Sequence, residues 1–230
     1  MNCEIIRINE NSWRIEDSGV RFFLLVGTEK ALLIDTGMTV PSARDIAEKL
    51  TDLPVFLLNT HADRDHIGSN EQFEEFYMSP VEEPVYRRSG KAGKIIPVAE
   101  GDSIDLGGRE LQIIDIPGHT PGSIAVLDVK NRVLISGDPI QEHGRIYMFA
   151  DHRNMNNYIR SLEHLEKYMD QFDEIWPSHA GFPVSLDAIQ KLHDGAQAIL
   201  EGKIPGKEAE VHGNHIVEYD LGFCTMLCDS

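Results

Sequence analysis

The sequence predicts an α/β fold in which helices cover two mixed β-sheets, a four-layer αββα sandwich. Three observations lead there. Short apolar runs of strand length recur along the 230 residues, and amphipathic stretches with a helical period interrupt them. The cycle of strands, then strands mixed with helices, repeats after about residue 94. Periodicity alone equally permits a doubly wound sheet.

Strands are expected first at residues 22–27, 31–35 and 55–60, then at 111–117, 123–129 and 132–137. Each is an apolar run of strand length rather than a helical pattern. Ala43, Ile46, Ala47 and Leu50 share one helical face, and Pro41 suits a first turn. A stronger helix is expected where Met155, Tyr158, Ile159, Leu162, Leu165 and Met169 recur. A third opens at Ser185, a good N-cap, and carries Leu186, Ile189, Leu192, Ala196 and Ile199 on one side. Residues 201–213, rich in Gly, Pro and charge, read as a loop ahead of a C-terminal strand pair. No low-complexity linker, short repeat or composition shift divides the chain, so one domain is expected across residues 1–230.

Composition narrows the function. A formal net charge of -17 repels phosphate backbones, so a nucleic-acid partner is not expected and a small-molecule substrate is. No apolar run approaches the roughly 20 residues of a membrane span. Residues 1–13 lack the basic start and apolar stretch of a secretory signal, and a cytoplasmic location is the expectation. Cys3, Cys224 and Cys228 fit neither a zinc-finger spacing nor a disulfide framework and read as reduced, structural thiols. No feature specifies an oligomeric state.

The chemistry concentrates in Thr60-His61-Ala62-Asp63-Arg64-Asp65-His66, directly after the strand-like VFLLN. Four potential metal ligands fall within six residues. Carboxylates this close repel one another unless cations lie between them. Gly68 then lets the chain turn. Three further candidates share this local setting: His119 in PGHTPGS, Asp138 in SGD and His179 in PSHAG. Each sits at a strand terminus beside a Gly, where ligands from separate strands can converge on one sheet edge. An Asp after a strand is commonly only a turn former; the combination is what points to metal.

The ordered set resembles that of the metallo-β-lactamase superfamily, whose ligands come from a His-x-His-x-Asp-His motif and later His, Asp and His positions. The resemblance runs from the Asp35-Thr36-Gly37 turn to His179. It implies an αββα sandwich and a dinuclear centre: His61, Asp63 and His119 on one ion, Asp65, His66 and His179 on the other, Asp138 bridging. Position 63, usually His in that family, is Asp63 here. A carboxylate at this place resembles the flavodiiron proteins, which have Glu. Zinc is the expected occupant; the harder oxygen-donor set makes iron or manganese the alternatives.

The resemblance implies a metal-dependent hydrolase. Metal lowers the pKa of bound water towards about 7, so a metal-bound hydroxide supplies the nucleophile for an ester, thioester, lactone or phosphodiester. Asp65 is the expected catalytic residue, orienting the hydroxide or moving a proton. PGHTPGS together with Ser136-Gly137-Asp138 looks like the hydroxyacylglutathione hydrolase branch, whose substrates are thioesters. Residues 141–149 follow the bridging position as a loop, from which His143, Arg145 and Tyr147 could contact substrate. A di-iron oxidoreductase working with a separate electron donor is the alternative, supported by Asp63; a vestigial site stands last because the ligand set is intact. His164 and His193 are expected on helix surfaces, His152 at the cleft border, and His212 and His215 near the C-terminus.

Overall fold

Short apolar runs between residues 3 and 97 build a seven-stranded sheet. Its strands, in spatial order, are β1 (Cys3–Asn9), β2 (Ser12–Asp17), β3 (Val20–Val26), β4 (Ala31–Ile34), β5 (Val55–Leu58), β6 (Glu75–Met78) and β7 (Lys94–Pro97). The first four pair antiparallel and β4 through β7 pair parallel. Parallel neighbours need a crossover, and helices α1 (Ala43–Glu48) and α2 (Glu83–Arg88) lie within two of them. The computed structural model describes residues 3–150 and 152–230.

The chain continues through β8 (Ser103–Asp105), β9 (Glu110–Asp115), β10 (Ile124–Asp128), β11 (Val133–Gly137), β12 (Arg145–Met148), α3 (Met155–Leu165), β13 (Glu174–Pro177), α4 (Asp187–Leu200), β14 (Lys207–Val211), β15 (Asn214–Asp220) and β16 (Thr225–Asp229). Strands β8 to β11 form an antiparallel meander, and β13 joins it parallel to β11. The remaining strands make a third sheet in the order β12-β16-β15-β14.

Strand alternation fixes the layering. Phe23, Leu25, Leu32 and Ile34 face Ile113, Val126, Ile135 and Trp176 in a core between the first two sheets. Their neighbours Phe22, Leu24 and Leu33 point the other way, onto Ala43, Ile46, Ala47 and Tyr86 of α1 and α2. On the far side, Ala125 and Leu127 pack on Tyr158, Leu162, Ile189 and Leu192 of α3 and α4. The expected αββα sandwich is therefore present. No helix among the described residues is long and apolar enough to cross a membrane.

Four local expectations need correction. Residues 207–211 are strand β14, not loop, and the C-terminal strand pair belongs to a four-stranded sheet. Residues 145–148 form strand β12, paired parallel with β16, rather than a loop. Helix α4 starts at Asp187 with Leu186 at the cap, because the Ser185 hydroxyl donates to the Asp187 carboxylate and caps nothing. Helix α3 ends at Leu165 and passes into a 3-10 turn before Met169.

Candidate metal centre

Five strands end at one edge of the sandwich, and the seven candidate ligands sit in or just beyond those ends. Parallel β4 and β5 deliver Asp35 and the 59–66 segment; β9, β11 and β13 deliver His119, Asp138 and His179. Backbone bonds close the edge: Ile124 N–H donates to Thr60 at 3.0 Å and Ser178 N–H to Gly137 at 3.0 Å. The Gly68 N–H reaches the Gly37 carbonyl so closely that a Cβ at residue 68 would lie 2.4 Å from that oxygen.

The seven side chains fall into two groups that share one member. His61, Asp63, His119 and Asp138 can each offer an atom to one ion; Asp65, His66, Asp138 and His179 can do so to another. Asp138 faces both ways. Its Oδ1 lies 3.0 Å from His66 Nε2 and 3.2 Å from His179 Nε2, while Oδ2 lies 3.4 Å from His119 Nε2.

Hydrogen bonds aim every imidazole with the same nitrogen inward. His119 Nδ1 donates to the Tyr147 carbonyl at 2.9 Å, and His179 Nδ1 to the Gly19 carbonyl at 2.8 Å. His66 Nδ1 donates to Asp35 at 2.8 Å. The Thr60 hydroxyl is committed to Asp35, so it accepts from His61 Nδ1 at 2.9 Å. Each ring then presents an Nε2 lone pair to the cavity, the tautomer a metal ligand needs. Nε2 of His61, His66 and His119 and Oδ1 of Asp138 are buried without a hydrogen-bond partner. Buried polar atoms seldom stay unsatisfied. A set of imidazole and carboxylate donors left open in this way fits divalent cations.

The electrostatics agree. Burial pushes Asp138 upward, but His179, His66 and His119 hold its carboxyl well below the ordinary value. Burial likewise opposes charge on His66 and His179, yet Asp138 and Asp65 overcome it. His66 lies well above the ordinary imidazole range, and His179 is pushed up to about 10.

Four residues that sequence reasoning passed over hold the candidate ligands in place. Asp35, noted only as part of a turn, takes His66 Nδ1 and both the N–H and the hydroxyl of Thr60. Buried Glu82 accepts from Ala62 N–H at 2.9 Å and Gly122 N–H at 2.7 Å, joining the two ligand loops. Arg21 donates to the carbonyls of Pro177, His179, Ala180 and Gly181 and so clamps the His179 loop. Arg153 pairs with Asp63 at 2.6 Å and also donates to the His119 carbonyl. The DTG turn was the one available signal; Glu82, Arg21 and Arg153 act across distant segments and carry none.

A cleft of about 530 Å³ opens onto Asp63, Asp65, His119, Asp138 and His179. Arg145 and Tyr147 line it as expected, and His212 joins them, its ring stacked on Tyr147. His143 does not: it is exposed and lines a separate hollow with Asp220 and Phe223. The left-handed backbone at His143, φ 62°, turns it away before β12 begins. His152 borders Asp63 at 4.0 Å. His164 bonds Glu100 and His193 bonds Asp194, both away from the cleft, and His215 is exposed on β15.

A family model described as the metallo-beta-lactamase superfamily matches residues 16–170. An acyl-coenzyme A thioesterase of Gallus gallus is 25% identical over 208 residues, covering 72% of this chain and 75% of that protein. A hydroxyacylglutathione hydrolase of Bdellovibrio bacteriovorus is 36% identical over 118 residues, covering 49% of this chain and 45% of that protein. Among solved structures, a metallo-beta-lactamase from Pontibacter korlensis superposes with a TM-score of 0.74 at 16% identity, covering 85% of this chain and 99% of that one. That likeness is one of fold.

Proposed function

We propose, from the premise that this chain belongs to the metallo-β-lactamase superfamily and is one of its metal-dependent hydrolases, that it cleaves a small-molecule thioester at a dinuclear centre. The observation that carries this reading is the pair of ligand groups sharing Asp138. Relatives named as an acyl-coenzyme A thioesterase and a hydroxyacylglutathione hydrolase support the thioester within the broader class of esters, lactones and phosphodiesters.

His61, Asp63 and His119 would hold one ion, Asp65, His66 and His179 the second, and Asp138 both. Divalent ions there supply Lewis acidity and activate water. The protein does the rest. Asp65 is half-buried on the cleft wall, where its carboxylate can accept the proton of an attacking water. Arg145 and Tyr147 contact substrate from β12. Asp63 was the support for a di-iron oxidoreductase; paired with Arg153, its extra charge is already balanced, which favours the hydrolase.

The test is metal analysis of protein reconstituted with zinc, iron or manganese, followed by assays on matched esters, thioesters and phosphodiesters. Two ions per chain and fastest turnover of thioesters are expected. At most one ion per chain would refute the dinuclear assignment, and turnover confined to another bond type would refute the thioester.

A further inference from the structure

A second hollow, of about 390 Å³, lies between α2, the His119 loop and the start of α3. None of the seven candidate ligands lines it. Arg153 is the one residue it shares with the metal cleft, so this side chain is the partition between the two. The chain carries 38 acidic and 21 basic residues, yet the ionisable groups on the described walls are Arg88, His152 and Arg153, with no carboxylate among them. Val81, Pro84, Val85 and Pro121 make the hollow apolar elsewhere, and Val81 is left 54% exposed.

The donors on these walls are not all used. The Arg153 side chain is only 9% exposed. Its Nη2 donates to Asp63 at 2.6 Å and its Nη1 to the His119 carbonyl. Its Nε, which can only donate, is buried without a partner among the described residues, and so is Nε2 of His152. Buried polar atoms seldom stay unsatisfied. A guanidinium N–H left over in an acid-free hollow calls for an acceptor, and a carboxylate is the acceptor that guanidinium matches best. Arg88, exposed at the end of α2, supplies a second guanidinium. The valines and prolines favour a ligand with an apolar part over a fully hydrated oxyanion such as phosphate.

We propose that this hollow is an effector site for a small carboxylate with a short apolar tail, its head on Arg88 and Arg153 and its tail on Val81 and Val85. Arg153 couples the site to the metal centre. A carboxylate that takes up Arg153 draws it from Asp63 and leaves that side chain freer to bind the first ion. Coupling between two sites is reciprocal, so effector and metal each tighten the other by the same factor. The site stands whatever the reaction is; its coupling rests on Asp63 as a ligand of the first ion.

The test follows methyl NMR spectra of zinc-loaded and metal-free protein while butyrate, butyramide, acetate or inorganic phosphate is added. Butyrate is expected to shift the Val81 and Val85 methyls and to leave the Met38 methyl, at the metal cleft, in place. Butyramide should bind at least about ten-fold more weakly, because it lacks the charge that strengthens the guanidinium bonds. Acetate, shorter by two methylenes, should bind about ten-fold more weakly as well. Arg88→Gln should weaken butyrate about ten-fold and leave zinc content and turnover unchanged. Butyrate should bind several-fold more tightly to the zinc-loaded form, and zinc competition against a chromophoric chelator should show the same factor at saturating butyrate. Butyrate shifts confined to Met38, or present only with zinc bound, would place the carboxylate on the metal and overturn the proposal. Equal binding of butyramide, or phosphate binding as tight as that of butyrate, would overturn the assignment of the ligand. Equal butyrate affinity in the two forms would overturn the coupling.

Discussion

Asp35 shows how one side chain organises a site it never enters. Its carboxylate orients His66 directly and His61 through Thr60, so both ligand groups depend on it. It sits at φ 66°, a left-handed conformation that Asn tolerates and most residues do not. Asp35→Asn therefore keeps the turn and removes the charge. Loss of such an outer partner typically costs about 10- to 100-fold in metal affinity, and competition with a chromophoric chelator should read that loss. Affinity within two-fold of the parent would mean that the rings are oriented by packing alone. The candidate ligands were legible in the sequence because their chemistry is carried by residue type and spacing. Asp35, Glu82, Arg21 and Arg153 were not, because each acts on a segment remote in the chain.

The helices and strands explain which local signals held. Helix α3 was legible from Tyr158, Ile159, Leu162 and Leu165, whose spacing reports one buried face. Its docking was not. Gly118, the residue before His119, passes under the start of α3 at φ +139°, and a Cβ there would lie 2.4 Å from the Tyr158 backbone. The Asn154 N–H donates to the Gly118 carbonyl at 2.8 Å, tying helix to ligand loop. Gly118→Ala combines backbone strain with overpacking and should cost about 3 kcal/mol. At this chain length that corresponds to a fall of about 6–12 °C in Tm, read by calorimetry. A fall below about 2 °C would mean that the helix simply slides away. Strand β12 was missed because its sequence, RIYM, is short and follows the Gly-containing EHG stretch; its pairing with β16 comes from residues 80 positions later.

At the scale of the molecule, the two main sheets are joined by a buried polar knot as well as by the apolar core. Arg109, 2% exposed, pairs with fully buried Asp128 of β10 and donates to the carbonyls of Asn11 and Val26 and the hydroxyl of Ser12. A buried ion pair adds little net stability over an apolar one, but removing one partner strands the other charge. Asp128→Ala should lose about 3–5 kcal/mol in denaturant unfolding, whereas Arg109→Met with Asp128→Leu should lose clearly less. Equal losses in the two variants would mean that the cost lies in packing, not in the unpaired charge.

The sequence by itself determined most of the strands and helices and the set of candidate ligands; the choice of a sandwich over a doubly wound sheet also drew on the family resemblance. Period-two and period-3.6 apolar patterns are local consequences of burial on one face, and they survive in a string of letters. The HADRDH motif, with His119, Asp138 and His179 at strand ends, picked out the seven candidate ligands that the structure brings together in two groups. Only the tertiary structure decided that His143 turns away while His212 turns in, that residues 145–148 are a strand, and that Asp63 is answered by Arg153. Those outcomes depend on contacts between segments dozens of residues apart, whose energies no local pattern encodes.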